Sequence, residues 1–195
     1  MCRVTFYESI MYEVIKKRLK NYKKKKESYP HLRPASVLLP LYEKEDELFL
    51  LFTRRTEWVE HHKGQISFPG GMRDPEDQDS TSTAIRETWE EVGLNPASIE
   101  IVGELDDHVT VSGFNISPFV GKISYPFSLK ICEEELSEVF SVPLSFFLDR
   151  SNCRKEFLWD EAGHKREFFV FQYQAYRIWG ATAAITHNFV TIISS

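Results

Sequence analysis

Residues 65 to 94 constrain the fold most strongly, because a strand pattern, a glycine pair, an acidic loop and a helix pattern follow one another there. Residues 65 to 68 predict a short strand. Gly70 and Gly71, directly after it, permit a tight turn or a close approach of the backbone to a ligand. Helical spacing of apolar residues then predicts a helix over about residues 80 to 92. This order of elements favours an α/β or α+β sandwich.

The predicted helix has an apolar side and an acidic side. Asp79 or Ser80 is suited to cap its start, and Gly93 to end it. The apolar side consists of Ala84, Ile85, Thr88, Trp89 and Val92. The acidic residues are Glu87, Glu90 and Glu91. They are three and four residues apart, so we expect their carboxylates to project from a common face, opposite the apolar stripe.

Three neighbouring carboxylates repel one another unless a cation lies among them, and hard divalent ions such as Mg²⁺ prefer carboxylate oxygens. A bare glutamate-rich helix is more often a solvated acidic face. Here the helix follows a glycine pair and a loop that carries four further acidic residues: Asp74, Glu76, Asp77 and Asp79. The combination predicts a metal cluster that clamps a diphosphate and activates water, which is metal-assisted hydrolysis of a phosphoanhydride.

The rest of the chain predicts one main domain of strands and helices, over residues 30–195, after a basic amphipathic helix in residues 1–29. The N-terminal helix covers residues 8 to 26, with Ile10, Val14, Ile15, Leu19 and Tyr22 as its apolar residues. Further strands are predicted at 35–42, 48–53, 99–105, 116–123 and 167–176, and further helices at 133–140 and from about 180 to 189. A mixed sheet covered by helices is the packing that we expect.

The charge is unevenly distributed. Residues 1–34 carry ten Lys/Arg and three Glu, whereas residues 35–195 carry fourteen Lys/Arg and twenty-six Asp/Glu. The acidic body disfavours nucleic acid, and the lysine run at residues 23–26 is typical of a solvated helix end. No apolar run has the length of a membrane span. Three cysteines without a Cys-x-x-Cys pair favour a reducing compartment, so we predict a cytoplasmic protein, with an organelle import signal in the basic helix left open.

The stretch from residue 86 to 94, RETWEEVGL, resembles the end of the Nudix box, G-x5-E-x7-R-E-U-x-E-E-x-G-U, where U is a bulky apolar residue. Thr88 occupies an apolar slot of that motif. Counting back from Arg86 places Gln78 where the motif has its first Glu and Met72 where it has its Gly, so the loop is one residue longer. The nearest acidic substitutes for that Glu are Asp77 and Asp79.

The chain also resembles the coenzyme A diphosphatase branch of the Nudix hydrolases. Residues 51–71 are similar to the extra signature of that branch, roughly LLTxRSxxLRxHxGQVxFPGG, and similar blocks follow at 103–121, 138–144 and 178–183. One position differs, because Glu60 stands where the branch usually has Arg. A carboxylate repels phosphate, whereas a guanidinium fork binds it.

The resemblance implies a Nudix-type α/β/α sandwich that uses Mg²⁺ or Mn²⁺ to hydrolyse the diphosphate bond of coenzyme A or acyl-coenzyme A, giving 3′,5′-ADP and (acyl-)4′-phosphopantetheine. Its implied metal ligands are Glu87 and Glu91, with Glu90 as an additional ligand or water activator and Arg86 as the residue that orients the carboxylates. The predicted substrate-binding residues are Gly70, Gly71, Arg54, His62 and Lys63, with Arg55 and Arg73 as further cations nearby.

Several alternatives stay open at this point. The general base can come from the acidic group Glu133, Glu134, Glu135 and Glu138, or from Asp107. Glu60 keeps open another nucleoside diphosphate derivative as substrate, such as NADH, ADP-ribose or a noncanonical dNTP. A nucleotide sensor without catalysis and an RNA-binding module that uses residues 23–26 are rivals, disfavoured by the intact glutamates and the acidic body. We expect a small nucleotide diphosphate as partner, no nucleic acid and no membrane, with a homodimer left open.

Overall fold

A computed structural model describes residues 4–25, 29–58, 64–159 and 163–195. Its helices are α1 (Val4–Asn21), α2 (Ser80–Val92), α3 (Leu144–Leu148) and α4 (Gly180–Ser194). Its strands are β1 (Arg33–Lys44), β2 (Glu47–Arg55), β3 (Ile66–Ser67), β4 (Gly70–Met72), β5 (Ile99–Glu104), β6 (His108–Val109), β7 (Phe114–Ile123), β8 (Leu136–Pro143), β9 (Cys153–Trp159), β10 (Lys165–Tyr173) and β11 (Tyr176–Trp179).

The main sheet is mixed. Its strand order is β3-β2-β1-β7-β5, with β8 paired to β2, β4 paired to β1 and β6 paired to β7. Strands β1 and β7 are parallel, and the other pairs are antiparallel. A second, antiparallel sheet has the order β11-β10-β9. The sheets and helices confirm the predicted α/β class.

Helices cover both faces of the main sheet. On one face, α1, α3 and α4 share the largest apolar core, whose biggest fully buried side chains are Phe52, Phe147, Phe171 and Phe189. On the other face, Val92 at the end of α2 packs with Leu51, Ile123 and Leu136 of the sheet. Ala84, in the first half of α2, packs with Leu38 and Phe119 of the sheet, so both halves of the helix are held against it.

Helix α1 contributes to the main core. Tyr12, Ile15 and Leu19 are buried there, at the spacing of one helix face. Ile10, which the periodicity assigned to the apolar stripe, is exposed. The division of the chain into residues 1–29 and 30–195 stays a prediction, but the buried face of α1 belongs to the core of the main domain.

Replacing Ile15 by alanine tests this packing. Because the Ile15 side chain is fully buried, we expect Ile15→Ala to lower the free energy of unfolding by about 2–5 kcal/mol. Ile10→Ala is the matched control on the same helix, with an expected change of about 0.5 kcal/mol or less. Urea unfolding measures both. If Ile15→Ala changed the free energy of unfolding as little as Ile10→Ala does, α1 would not stabilise the domain.

Three predicted elements differ in the structure. The helix predicted over residues 8 to 26 begins at Val4 and ends at Asn21. The helix predicted over residues 133–140 is wrong, because residues from Leu136 onward form β8 and pair with β2, with Phe140 opposite Phe52. Pairing between segments so far apart in sequence overrides local helical spacing. The single strand predicted over 167–176 is instead a hairpin, in which β10 ends at Tyr173 and Gln174 turns with a positive φ of 51° into β11.

The lysine run after α1 is anchored in part, because Lys24 is largely buried while Lys23 and Lys25 are exposed, as predicted for a solvated helix end. Lys24 Nζ lies 2.7 Å from Asp107 Oδ1, and the Lys24 side chain is largely buried. The backbone N–H of Lys25 donates to Asp106 Oδ1 over 2.8 Å, and Tyr22 Oη donates to the other oxygen of the same carboxylate. The segment after α1 is thus attached to the loop between β5 and β6, while residue 26 lies outside the described residues.

Candidate active site

Helix α2 is capped at both ends as the sequence predicts. Asp79 is the N-cap residue, because its carboxylate accepts a hydrogen bond from Ser82 N at 2.7 Å, and Ser82 Oγ accepts one from Asp79 N. Gly93 ends the helix with a φ of +73°, and its N–H donates to Trp89 O. These caps fix the position of the helix relative to the loop before it.

The glycine pair lies directly against this helix. Gly70 has a φ of +156°, and a Cβ atom there would lie 2.3 Å from the backbone oxygen of Ser36. A Cβ atom on Gly71 would lie 2.4 Å from the carboxyl carbon of Glu87. A side chain at Gly70 would therefore disturb the strand pairing with β1, whereas one at Gly71 would displace the Glu87 carboxylate from the backbone.

Glu91 is the buried carboxylate of the site. It is 4% exposed, and its Oε2 accepts a hydrogen bond from Gly70 N at 3.2 Å. Burial, with smaller contributions from the charges of Glu87 and Glu135, raises the pKa of Glu91 to about 8, against the opposing effects of the Gly70 N–H and Arg55. A group of this kind is stabilised in its charged form when a cation is placed beside it.

The expectation that all three glutamates project opposite the apolar stripe is wrong for Glu91. Glu91 is three residues after Thr88 and seven after Ala84, so it belongs to the same buried face as those two residues. Trp89, which the periodicity placed on the apolar side, is 51% exposed. Thr88 fits its apolar position because its hydroxyl donates to Ala84 O within the helix.

Arg86 holds the acidic groups around it in place. Its Nε and Nη2 donate to the two oxygens of Asp77, each over 2.9 Å, and its Nη1 donates to Glu87 and to Glu90, each over 2.9 Å. Its Nη2 also donates to Met72 O. Arg86 thus pairs with two of the three helix glutamates and joins the helix to the acidic loop and β4.

Asp77 is the loop carboxylate that contacts Arg86. Its carboxylate also accepts hydrogen bonds from Asp74 N and Thr83 Oγ1, both at 2.9 Å. The bidentate contact with Arg86 holds the pKa of Asp77 well below its usual range, although burial opposes this shift. Of the two substitutes considered from the sequence, Asp77 orients Arg86, whereas Asp79 caps the helix.

Replacing Asp77 by asparagine tests this role. Asp77→Asn keeps the size but removes the charge and one of the two oxygens that Arg86 binds, so Arg86 can no longer hold Glu87 in place. We expect kcat to fall about 10- to 100-fold and the free energy of unfolding to fall by about 2 kcal/mol. Steady-state kinetics and urea unfolding measure the two effects. Wild-type kcat in a folded variant would contradict the orienting role.

The other two helix glutamates differ in accessibility. Glu87 is half-buried, and burial raises its pKa even though Arg86 opposes the shift. The Glu90 side chain is 54% exposed, and its described polar contact is with Arg86. Glu87 and Glu91, one helical turn apart, therefore face the glycine pair directly, while Glu90 is turned towards Arg86.

The residues fit a divalent cation through their chemistry. Among the described residues, no three Asp, Glu, His or Cys side chains stand in a metal-binding arrangement. However, Glu87 and Glu91 are hard oxygen donors on a rigid helix, both have raised pKa values, and Glu135 adds a third negative charge beside them. A dication bound by Glu87 and Glu91 would offset this repulsion. Glu90 would become a further ligand if its carboxylate released Arg86.

The raised pKa of Glu91 also predicts how stability depends on pH in metal-free protein. The folded protein keeps the Glu91 proton up to about pH 8, while the unfolded chain releases it near 4.5, so stability falls as pH rises through this window. We expect a decrease on the order of 2 kcal/mol between pH 5 and pH 7. Urea unfolding in EDTA measures it, and Glu91→Gln should lack this component. Identical pH dependence in both proteins would contradict the burial effect.

Of the two adjacent arginines of β2, the structure brings Arg55 to α2, and not the predicted Arg54. Arg55 Nη1 lies 3.8 Å from Glu91 Oε1, and its Nη2 lies 3.8 Å from Glu135 Oε2. Arg54 is exposed and is paired in register with Glu138, whose carboxylate accepts a hydrogen bond from Tyr176. Three further positions lie outside the described residues: His62, Lys63 and the divergent Glu60. The last predicted cation, Arg73, donates hydrogen bonds to the backbone carbonyls of residues 77 and 78 in the acidic loop.

The structure also separates the candidate bases. Glu135 is exposed, pairs with Arg55 and influences both Glu87 and Glu91. Asp107 pairs with Lys24 and lines a cavity at the start of α2, whereas Glu91 lies in the last turn, about 16 Å further along the helix axis. Glu135 is therefore the member of the acidic group that the fold brings to the helix glutamates.

The protein-family model described as the NUDIX domain matches residues 32–145 of the sequence, which is more than half of the chain. The chain belongs to the NUDIX domain family. This confirms the resemblance predicted from RETWEEVGL, and with it a hydrolase that acts on phosphoanhydride bonds. Nudix hydrolases generally use divalent metal ions and bind small nucleotide derivatives.

Two relatives and one solved structure illustrate the position of the chain among Nudix proteins. The peroxisomal coenzyme A diphosphatase NUDT7 of Mus musculus is 42% identical over 122 residues, which are 62% of this chain and 52% of that protein, so the match spans about half of its length. The uncharacterized Nudix hydrolase NudL of Enterobacter sp. (strain 638) is 38% identical over 78% of this chain and 79% of that protein. A crystal structure of a C. elegans Ap4A hydrolase binary complex has a TM-score of 0.50 at 18% identity, covering 58% of this chain and 82% of that one, and shows the Nudix fold.

In the described parts of the chain, no helix has both the length and the apolar character needed to span a bilayer. The cytoplasmic location, the homodimer and the absence of nucleic acid binding stay predictions.

Proposed function

We propose that this Nudix domain hydrolyses the diphosphate bond of coenzyme A or acyl-coenzyme A, giving 3′,5′-ADP and (acyl-)4′-phosphopantetheine. The observation that carries the diphosphatase chemistry is the buried Glu91 carboxylate, which lies beside Glu87 under the Gly70–Gly71 backbone. The coenzyme A substrate is supported by the similarity to the mouse coenzyme A diphosphatase and by the signature-like block at residues 51–71.

Glu87 and Glu91 are the residues that would hold Mg²⁺ or Mn²⁺, with Glu90 as an additional donor. A divalent cation bound there supplies charge neutralisation of the diphosphate oxygens and a lowered pKa for the attacking water. Arg86, itself fixed by Asp77, keeps Glu87 in position. Gly70 and Gly71 let the carboxylates of Glu91 and Glu87 lie against the backbone, where they would hold the cation.

Glu135 is the general base of this proposal. Its side chain is half-exposed beside Arg55, so it can contact water while remaining close to the helix glutamates. The water oxygen forms a bond to one phosphorus, the bridging P–O bond breaks, and the leaving phosphate carries the electron pair away. Glu135 accepts the proton that the water loses.

A product screen by mass spectrometry tests the function. Purified protein with Mg²⁺, and separately with Mn²⁺, is incubated with coenzyme A, acyl-coenzyme A, NADH, ADP-ribose and dNTPs. We expect 3′,5′-ADP to accumulate from coenzyme A or its thioesters. The Glu91→Gln variant, purified in parallel, identifies turnover by contaminating enzymes. Turnover of another substrate with intact coenzyme A would contradict the proposed specificity.

A second candidate is the same chemistry on another nucleoside diphosphate derivative. The observation that favours it is Glu60, which stands where the coenzyme A branch usually has Arg. Hydrolysis of NADH, ADP-ribose or a dNTP in the same screen would support it. Binding detected by calorimetry without any product would instead identify a nucleotide sensor, and salt-dependent RNA retention lost on deletion of residues 1–29 would identify an RNA-binding module.

A further inference from the structure

Strand β9 ends in three consecutive large apolar residues that are exposed. Phe157, Leu158 and Trp159 are 53%, 57% and 64% exposed. Successive side chains of a strand point to opposite faces of the sheet, so Phe157 and Trp159 lie on one face and Leu158 on the other. Single exposed apolar residues are common on protein surfaces, whereas a contiguous group of them is typical of an interaction surface.

Strand β9 is also the edge strand of the second sheet. Among the described residues, β10 is the strand that pairs with β9, in continuous register from Trp159 opposite Lys165 to Cys153 opposite Phe171. The other side of β9 therefore presents backbone N–H and C=O groups to which a further strand can bind. Folded proteins usually protect such an edge with charged residues or proline, and residues 157–159 are neither. This surface thus fits a partner that contributes a β-strand.

The charges around this edge favour a second copy of the chain as that partner. The hairpin formed by residues 153–173 contains four Lys/Arg and four Asp/Glu, so its net charge is zero, whereas the whole chain carries −5. Two copies therefore repel each other less through their hairpins than through the rest of their surface. The carboxylate of Glu156 accepts hydrogen bonds from Arg154 Nε at 3.1 Å and Arg177 Nη2 at 2.7 Å, so its charge is already balanced.

We propose that two copies of this chain form a dimer by pairing their β9 strands antiparallel, about a two-fold axis at Phe157. Each copy uses the same surface in such a dimer, which is the commonest symmetry of protein oligomers. The two Phe157 rings meet at the axis, and the Lys155 ammonium lies opposite the indole of Trp159 of the partner subunit, as a cation–π pair. The two three-stranded sheets become one sheet of six strands. This inference goes beyond the proposed hydrolase function and does not depend on it.

The area of the surface sets the strength that we expect. An aromatic side chain has about 150–250 Å² of surface to bury, so the exposed parts of these three side chains offer on the order of 300 Å² per copy. A stable interface usually buries about 800 Å² per partner. The flanking residues of β9 add to the apolar contact, but the total favours a reversible dimer with a Kd in the micromolar range.

Sedimentation velocity at rising protein concentration tests the dimer, in reducing buffer without metal or substrate. We expect the average mass of the wild type to rise from 22.8 kDa towards twice this value. Phe157→Glu places two carboxylates together at the two-fold axis and should weaken the dimer at least about 10-fold. Val111→Glu is the matched control, because Val111 is 88% exposed in the loop between β6 and β7, and it should dimerise as the wild type does.

A charge exchange tests the antiparallel register. Trp159→Lys places an ammonium opposite Lys155 of the partner subunit and should weaken the dimer about 10-fold, and adding Lys155→Glu should restore most of this loss. Within one chain these positions are four residues apart on a strand, about 13 Å, so the recovery reports a contact between copies.

The possible results decide between this surface and others. A wild type that stays monomeric at every concentration would overturn the proposal. A dimer that is unaffected by Phe157→Glu would also overturn it, because another surface would then form the contact. Weakening by Trp159→Lys without recovery in the double variant would overturn the register about Phe157. If Phe157→Glu does not fold, the comparison of Trp159→Lys with the double variant decides.

Discussion

Glu91→Gln is expected to reduce kcat by at least about 10³-fold while the protein stays folded. The substitution removes a negative charge that would hold the cation, and it changes no more than one atom of the side chain. The amide oxygen can still accept the hydrogen bond from Gly70 N. Because burial raises the pKa of Glu91 to about 8, the metal-free protein holds this carboxyl mostly protonated at neutral pH, so a neutral amide does not disturb the core.

The readouts for Glu91→Gln separate loss of metal from loss of fold. We expect the Tm in EDTA to equal or exceed that of the wild type, whereas calorimetric titration with Mn²⁺ should show weaker binding. Glu167→Gln, which removes a carboxylate from β10 of the second sheet, is the matched control and should keep wild-type turnover. Turnover near the wild-type level in folded Glu91→Gln would refute the assignment of Glu91 as a metal ligand.

The local sequence was sufficient to predict α2 and its ends. Asp79, Gly93 and the spacing of the apolar residues all act within a few residues of each other, and the structure confirms both caps. By contrast, β8 was missed because Leu136, Val139 and Phe140 have helical spacing, and only their pairing with β2 makes them a strand. The partner strand lies more than eighty residues away, so no local pattern contains this information.

The difference between local signals and long-range contacts also explains which site residues could be identified from the sequence. Glu87, Glu90 and Glu91 follow from a local motif, but the burial of Glu91 depends on how α2 packs against the sheet. The choice between Arg54 and Arg55 depends on which face of β2 each residue occupies, and the pairing with β8 shifts its register between these two residues. Tertiary contacts therefore decide which of two adjacent cations reaches the glutamates.

Alanine at Gly71 is expected to reduce kcat about 100-fold with little loss of stability, whereas alanine at Gly70 is expected to destabilise the fold. A Cβ atom on Gly71 would meet the end of the Glu87 side chain at 2.4 Å, and that carboxylate can move aside. The movement takes Glu87 out of its position under the glycine pair, and a displacement of about 1 Å at a catalytic group is sufficient for a loss of this size.

At Gly70 the same atom would meet backbone instead, 2.3 Å from Ser36 O and 2.7 Å from Val37 Cα, in a φ of +156° that side chains rarely adopt. Backbone of β1 cannot give way without breaking its pairing with β4, so we expect Gly70→Ala to lower the Tm strongly. Tm and kcat are measured on both variants. If the contacts are as described, Gly70→Ala has a strongly lowered Tm, whereas Gly71→Ala keeps its Tm and has a lowered kcat. A Gly71→Ala protein with wild-type kcat would show that Glu87 does not need its place against the backbone, and would remove Glu87 from the proposed metal ligands.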